Sequence, residues 1–216
     1  MKNLVIFDLD GTLLNTISDL GNAANHALGK AGLPTHPLQS YPRFVGNGVR
    51  KLMERVVPQS MRDPETIDRL LVDFKEYYGN HLTDCTEPYP GIPELLRDLS
   101  ARGVRLAVAS NKYQQAVGEL IGHFFPDIPW AAVEGQKEGI PVKPDPSIVF
   151  GILAKSPTPK SEVLYVGDSG VDMETARRAC VESCGVTWGF RPLDELLANH
   201  ADHIAGTPAQ LLDHIL

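Results

Sequence analysis

Residues 4–12 read LVIFDLDGT: four apolar residues, then Asp8, Leu9, Asp10, Gly11 and Thr12. A short run rich in Val, Ile and Phe and broken by a glycine predicts a buried strand feeding a tight loop. In open α/β sheets ligands bind beyond the carboxyl ends of the strands, and both aspartates sit at such an end. Side chains repeat with period two in extended chain, so Asp8 and Asp10 can face one crevice. Two crowded carboxylates repel, which favours a bound cation or a shared proton, and either suits phosphate chemistry. A lone D-x-D also fits aspartates that merely cap the next helix. The rest of the chain decides between these readings.

From Tyr89 onward, short Val/Ile/Leu-rich runs alternate with helical patterns. Strands are predicted near Arg105–Ser110, Ala131–Glu134, Glu162–Gly167 and Glu182–Thr187, and helices over Pro93–Ala101, Gln114–Phe125, Pro146–Ala154 and Asp172–Cys180. Most of the helices open near Pro, Asp or Ser, as helix starts do. Such alternation predicts a parallel α/β sheet covered by helices. Residues 16–84 break it. Ile17, Leu20, Ala24, Ala27, Leu28 and Ala31 have helical spacing, as do Val49, Leu52, Met53 and Val56, and Ile67, Leu70, Leu71, Phe74 and Tyr78. We therefore expect an α/β core from residues 1–15 and 85–216 and an inserted all-helical cap over 16–84, with hinges near Leu14–Thr16 and Thr83–Pro90. A cap above strand ends can close and exclude water from the site. The C-terminal TPAQLLDHIL also has helical spacing. No internal repeat or low-complexity tract is visible.

Composition narrows the function classes. The 216 residues are 43% hydrophobic and 22% charged, an ordinary globular balance. A formal net charge of −7 argues against broad binding to nucleic acid or anionic membranes, so an anionic ligand needs local positive charge. The three cysteines, Cys85, Cys180 and Cys184, have neither the number nor the spacing of a disulfide or zinc framework. Seven histidines show no ligand pairing, and Trp130 and Trp188 are expected in packing. The first apolar run is cut short by Asp8 and fits neither a signal peptide nor a membrane span, so a cytoplasmic location is expected. No heptad seam or apolar stripe points to an oligomeric state.

Further along come Ser110–Asn111 at one predicted strand end, Lys143 in VKPDP (142–146), and GDSGVDM (167–173) after another strand. With FDLDGT, in this order and at these strand ends, they resemble the four motifs of the haloacid dehalogenase superfamily across essentially the whole chain. The resemblance implies a Rossmann-like core with a helical cap inserted after the first motif, an architecture the periodicity reaches independently. It also implies a magnesium-dependent phosphatase acting on a small phosphorylated metabolite. Asp8 is then the nucleophile that forms an aspartyl-phosphate, and Asp10 the acid and base. The resemblance places Mg2+ on Asp8, the backbone carbonyl of Asp10, and Asp168.

Asp172 and Ser169 are open to two readings: contacts near the metal, or residues that start a helix. Lys143 and Ser110 suit stabilisation of charge on the phosphoryl oxygens, with Asn111 donating beside them. Gly11 and Thr12 shape the loop and offer backbone donors. Lys112 is either near the substrate or a solvated lysine. In VGNGVRKL (45–52), Gly48 precedes a helix whose start can meet an anion, and Arg50 can grip a substrate carboxylate; a glycine-rich turn with a solvated arginine is the alternative. This segment and GVTWGF (185–190) resemble phosphoglycolate phosphatases and their relatives, which include enzymes acting on pyrophosphate, nucleotides and sugar phosphates. Phosphoglycolate is the expected substrate. The alternatives are phosphatase action on one of those other metabolites, a sugar phosphomutase, a dehalogenase, disfavoured because Asp10 supplies an acid, and a non-catalytic ligand sensor.

Overall fold

A computed structural model describes residues 1–216. The chain divides into two compact units, Met1–Asn15 with Pro88–Leu216, and Thr16–Glu87. The first is built on strands β1 (Leu4–Phe7), β4 (Arg105–Tyr113), β5 (Trp130–Gln136), β6 (Val163–Gly167), β7 (Glu182–Val186) and β8 (His203–Ala205). Two further short strands are β2 (Leu14–Asn15) and β3 (Glu87–Pro88). The six-stranded sheet has the order β5-β4-β1-β6-β7-β8, and every pairing is parallel. It is a doubly wound, Rossmann-like α/β sheet.

Strand β1 sits in the middle because its four residues are apolar on both faces, and all four are fully buried. Parallel sheets covered by helices on both sides demand such runs. Leu4 and Ile6 join Ala107, Ala109, Val163 and Tyr165 on one face, packed against Val149 and Ile152 of α6 (Ser147–Lys155) and Ala176 and Ala179 of α7 (Gly170–Ala179). By alternation Val5 and Phe7 face the opposite layer. The remaining helices of this unit are α4 (Ile92–Ala101), α5 (Gln114–Phe124), α8 (Leu193–Ala198) and α9 (Pro208–Ile215). The order of strands reverses at β1, whose neighbours β4 and β6 run to opposite edges. That reversal opens a crevice at the carboxyl ends, where doubly wound folds bind ligands. Phe7 is level with Val108 and Val166, so Asp8 emerges beside the ends of both neighbouring strands.

The second unit holds α1 (Ile17–Lys30), α2 (Val49–Val56) and α3 (Pro64–Asn80), with two short 3₁₀ segments, Leu38–Arg43 and Gln59–Met61. Its interior is drawn from the periodic apolar set: Leu20, Ala24, Ala27 and Leu28, Leu52, Met53 and Val56, and Ile67, Leu70, Phe74 and Tyr78 are all buried, with α3 packed against both α1 and α2. Helix α3 starts at Asp63, whose carboxylate accepts the Thr66 N–H at 2.9 Å, with Pro64 as first residue. Residues 85–87 belong with this unit rather than with the sheet. Buried Asp19 of α1 binds them: it accepts the Cys85 N–H at 3.0 Å, and the Thr86 N–H and hydroxyl at 2.8 Å each. No helix in the chain is long and apolar enough to cross a membrane.

Removing the Asp19 carboxylate strands two backbone donors. Asp19→Ala is expected to destabilise the helical unit by about 2–4 kcal/mol, read as a lowered denaturant midpoint, with Asp19→Asn retaining part of the loss.

Candidate active site

Asp8 and Asp168 follow the ends of β1 and β6, and Ser110 lies in β4 just past its last regular pair with β5, Ala109 with Glu134, so three adjacent strands deliver three polar side chains to one place. Lys143 joins them from the loop before α6. Its ammonium donates to Asp8 Oδ1 and Asp172 Oδ1 at 2.7 Å each and to the Ala109 carbonyl at 3.0 Å. Burial alone would strip the proton from this lysine, but the carboxylates of Asp172 and Asp8 outweigh it and hold Lys143 well above the usual range. Burial pushes the Asp8 carboxyl up to about 7; Lys143 works against that rise and Asp172 adds to it. Asp168 is likewise raised well above the carboxylate range by burial, helped by Asp172 and Asp8.

Asp172 takes the helix-start role that the sequence left open and also pairs with Lys143. Its Oδ2 accepts the Ser169 hydroxyl at 2.6 Å and the Ser169 N–H at 3.2 Å, tying the first turn of α7, while its Oδ1 holds Lys143. Asn111 does something other than expected: its amide donates to the Lys143 carbonyl at 3.1 Å and accepts the Lys143 N–H at 2.8 Å. It braces the lysine through that residue's backbone N–H and carbonyl. Ser110 accepts the Lys112 N–H at 3.2 Å. The Thr12 hydroxyl is buried without a partner in the chain, although buried polar groups are seldom left so.

Lys112 is no solvated lysine. Its side chain is 4% exposed and its ammonium lies 2.8 Å from Asp10 Oδ1. The stretch Trp188–Phe190 also enters the site. Phe190 donates its N–H to Asp168 Oδ2 at 2.6 Å, and the Trp188 indole donates to the Thr12 carbonyl at 3.0 Å. Trp188 thus ties this loop to the loop after β1 rather than only filling space. A Cβ on Gly189 would collide with the Gly11 carbonyl and the Asp168 side chain, and one on Gly11, at φ +90°, would strike the Asp168 carboxylate. Only glycines let the two loops close on Asp168. In the helical unit Gly48 precedes α2 at φ +85°, and Arg50, half exposed, pairs with Asp68 of α3.

The chain matches the family profile described as haloacid dehalogenase-like hydrolase over residues 5–186, from β1 to the end of β7. It belongs to the haloacid dehalogenase-like hydrolases. Within that family it is 32% identical to a phosphoglycolate phosphatase of Vibrio vulnificus over 99% of this chain and 96% of the relative. It is also 32% identical to one of Pseudomonas syringae pv. tomato, covering 100% of this chain and 78% of the relative. A crystal structure from Lactobacillus delbrueckii subsp. bulgaricus, provisionally assigned as a phosphoglycolate phosphatase, superposes with a TM-score of 0.94 at 32% identity, covering 100% of this chain and 99% of the other.

The donor chemistry of this hydrolase fits a hard cation. Asp8, Asp168 and Asp172 present carboxylate oxygens that all lie within 4.8 Å of one another, and all three residues are buried. One ammonium faces these three carboxylates, and oxygen donors in excess negative charge suit Mg2+.

Two expectations follow. Gly189→Ala moves the loop off Asp168 and lowers activity by about 10- to 100-fold while the melting temperature stays near wild type. In addition, the folded protein binds a proton at Asp8 more tightly than the unfolded chain, where the ordinary value is 3.8. Without a divalent ion, stability therefore falls as pH rises from about 4 to about 7. A Mg2+ ion bound at these carboxylates would displace that proton, and is then expected to raise the melting temperature more at about pH 7.5 than at about pH 5; equal increments at both would contradict this.

Proposed function

We propose that this chain is a magnesium-dependent phosphatase that hydrolyses a small phosphate monoester through an aspartyl-phosphate on Asp8, with phosphoglycolate as the substrate. The observation that carries the mechanism is the separation of two aspartates two residues apart: Asp8 is buried against Lys143 and Asp172, whereas Asp10 turns to Lys112. One carboxylate suits attack and the other proton transfer. The substrate reading is supported by two phosphoglycolate phosphatases at 32% identity, one matched over 96% of its length and the other over 78%.

In the first step an Asp8 carboxylate oxygen attacks phosphorus in line with the ester oxygen. The P–O ester bond breaks, and Asp10 gives its proton to the leaving alkoxide. Asp10 then takes a proton from water, whose oxygen attacks the same phosphorus, frees inorganic phosphate and restores Asp8. Lys143 remains charged throughout and stabilises negative charge on the phosphoryl oxygens, together with Ser110 and the N–H groups around Gly11 and Thr12. The orphan Thr12 hydroxyl is a further donor for that group. Asp8, the Asp10 carbonyl and Asp168 would hold Mg2+, which would neutralise negative charge at the reacting group. Asp172 and Asn111 keep Lys143 in position, and Ser169 keeps Asp172. By the family resemblance the helical unit is a cap, and the start of α2 at Gly48 and Arg50 is where it would offer contacts to anionic substrate groups.

Phosphate release from phosphoglycolate, pyrophosphate, nucleotides and sugar phosphates tests the reading. Turnover requires Mg2+, stops with chelator, and is strongest on phosphoglycolate. Asp8→Asn lowers it more than about a thousandfold without unfolding the protein, since the neutral isostere removes the nucleophilic carboxylate but keeps an oxygen that can accept from Lys143. Wild-type activity in a pure Asp8→Asn preparation would remove the nucleophile assignment; preference for another ester would replace only the substrate.

A further inference from the structure

Two of the lysine and arginine residues are buried, Lys112 at 8% exposure and Lys143 at 3%, while the others are partly or fully exposed. Burying an ammonium is costly, so each needs an anionic environment. Lys143 is committed to the nucleophile side of the site, between Asp8 and Asp172. Lys112 is on the other side, 2.8 Å from the carboxylate assigned to proton transfer. Its backbone is fixed as well, because it lies within β4 and its N–H bonds the Ser110 hydroxyl.

Asp10 has to reach the ester oxygen to protonate it, so a group in hydrogen-bond contact with Asp10 lies within reach of the atoms attached to that oxygen. In phosphoglycolate the carboxylate carbon is two bonds from the ester oxygen. The departing glycolate carries a negative charge into surroundings already rich in aspartate, and the second buried cation is where that charge can be met. An ammonium has three N–H groups in a compact head and can serve Asp10 and a substrate carboxylate together. Arg50, the other cation drawn toward a carboxylate by the sequence, is half exposed and paired with Asp68.

We propose that Lys112 is the receptor for a carboxylate on the leaving group, which makes phosphate esters of 2-hydroxy acids the preferred substrate class of this site. The inference rests on the phosphatase reading above and deepens it.

The test compares phosphoglycolate with ethyl phosphate, the same ester with a methyl group in place of the carboxylate, in wild type and Lys112→Met. Wild type prefers phosphoglycolate. Lys112→Met loses about 10- to 100-fold more kcat/KM on phosphoglycolate than on ethyl phosphate, and Lys112→Arg keeps part of the preference. Equal losses on both esters mean that the lysine acts only by holding Asp10, and overturn the proposal. Calorimetric binding of the two esters to Asp8→Asn, with and without Lys112→Met, separates this question from turnover. If wild type hydrolyses neither ester, the phosphatase reading fails, but a preference for phosphoglycolate that disappears with Lys112 still supports the receptor. Binding of phosphoglycolate no tighter than ethyl phosphate to the protein that has Lys112 overturns it. Lys112→Gln substitutes for Lys112→Met if the latter does not fold.

Discussion

Lys143 keeps its charge at 3% exposure, where a lone ammonium would give up its proton. It does so because Asp8 and Asp172 stand on either side of it, and each carboxylate is tolerable there only because the lysine is present. The three groups come from β1, the loop before α6, and α7, so their mutual dependence spans three segments far apart in the chain. Each has a second tether: Asn111 for the Lys143 backbone, Ser169 for Asp172, and the Val166 carbonyl for the Asp8 N–H at 2.8 Å. Electrostatics that would be ruinous piecemeal becomes a fixed site when every member is held.

The sheet makes that holding possible. Adjacent strands lie about 4.8 Å apart, so side chains leaving β1, β4 and β6 at one level are separated by little more than a hydrogen bond and its two partners. Reversal of strand order at β1 leaves that level open instead of crossing it with a connection. The loop after β7 then reaches back across β6, and it can do so because Gly189 and Gly11 carry no Cβ to push against Asp168.

Much of this was legible in the residues, and the reasons differ by element. Strand β1 and the three cap helices announce themselves through period and length, and the polar residues at strand ends through their motifs. Strand β8 did not, because three residues, His203–Ala205, are too few to show alternation, and the six-residue helix α8 is short for the same reason. Cys85–Glu87 read as core by proximity to the sheet segments, whereas one buried carboxylate on α1 draws them into the helical unit. Asn111 had the right neighbourhood and a different partner, since an amide can serve a backbone as well as a ligand. The contributions of Trp188, Gly189 and Phe190 lie in backbone groups and in an absent side chain, which composition does not display. Lys112 was ambiguous because a sequence carries no record of burial.

The core unit is interrupted in the chain: β1 precedes the helical unit, and its partners β4 and β6 begin at Arg105 and Val163. On a ribosome delivering about 5–20 residues per second, the apolar segment Leu4–Phe7 waits roughly 5–20 s for its first hydrogen-bonding partner and longer for its second. The helical unit, whose contacts are nearer in sequence, has everything it needs well before then. The earliest strand made is therefore among the last pieces secured, and a newly made chain carries an unpaired, aggregation-prone edge through much of its synthesis.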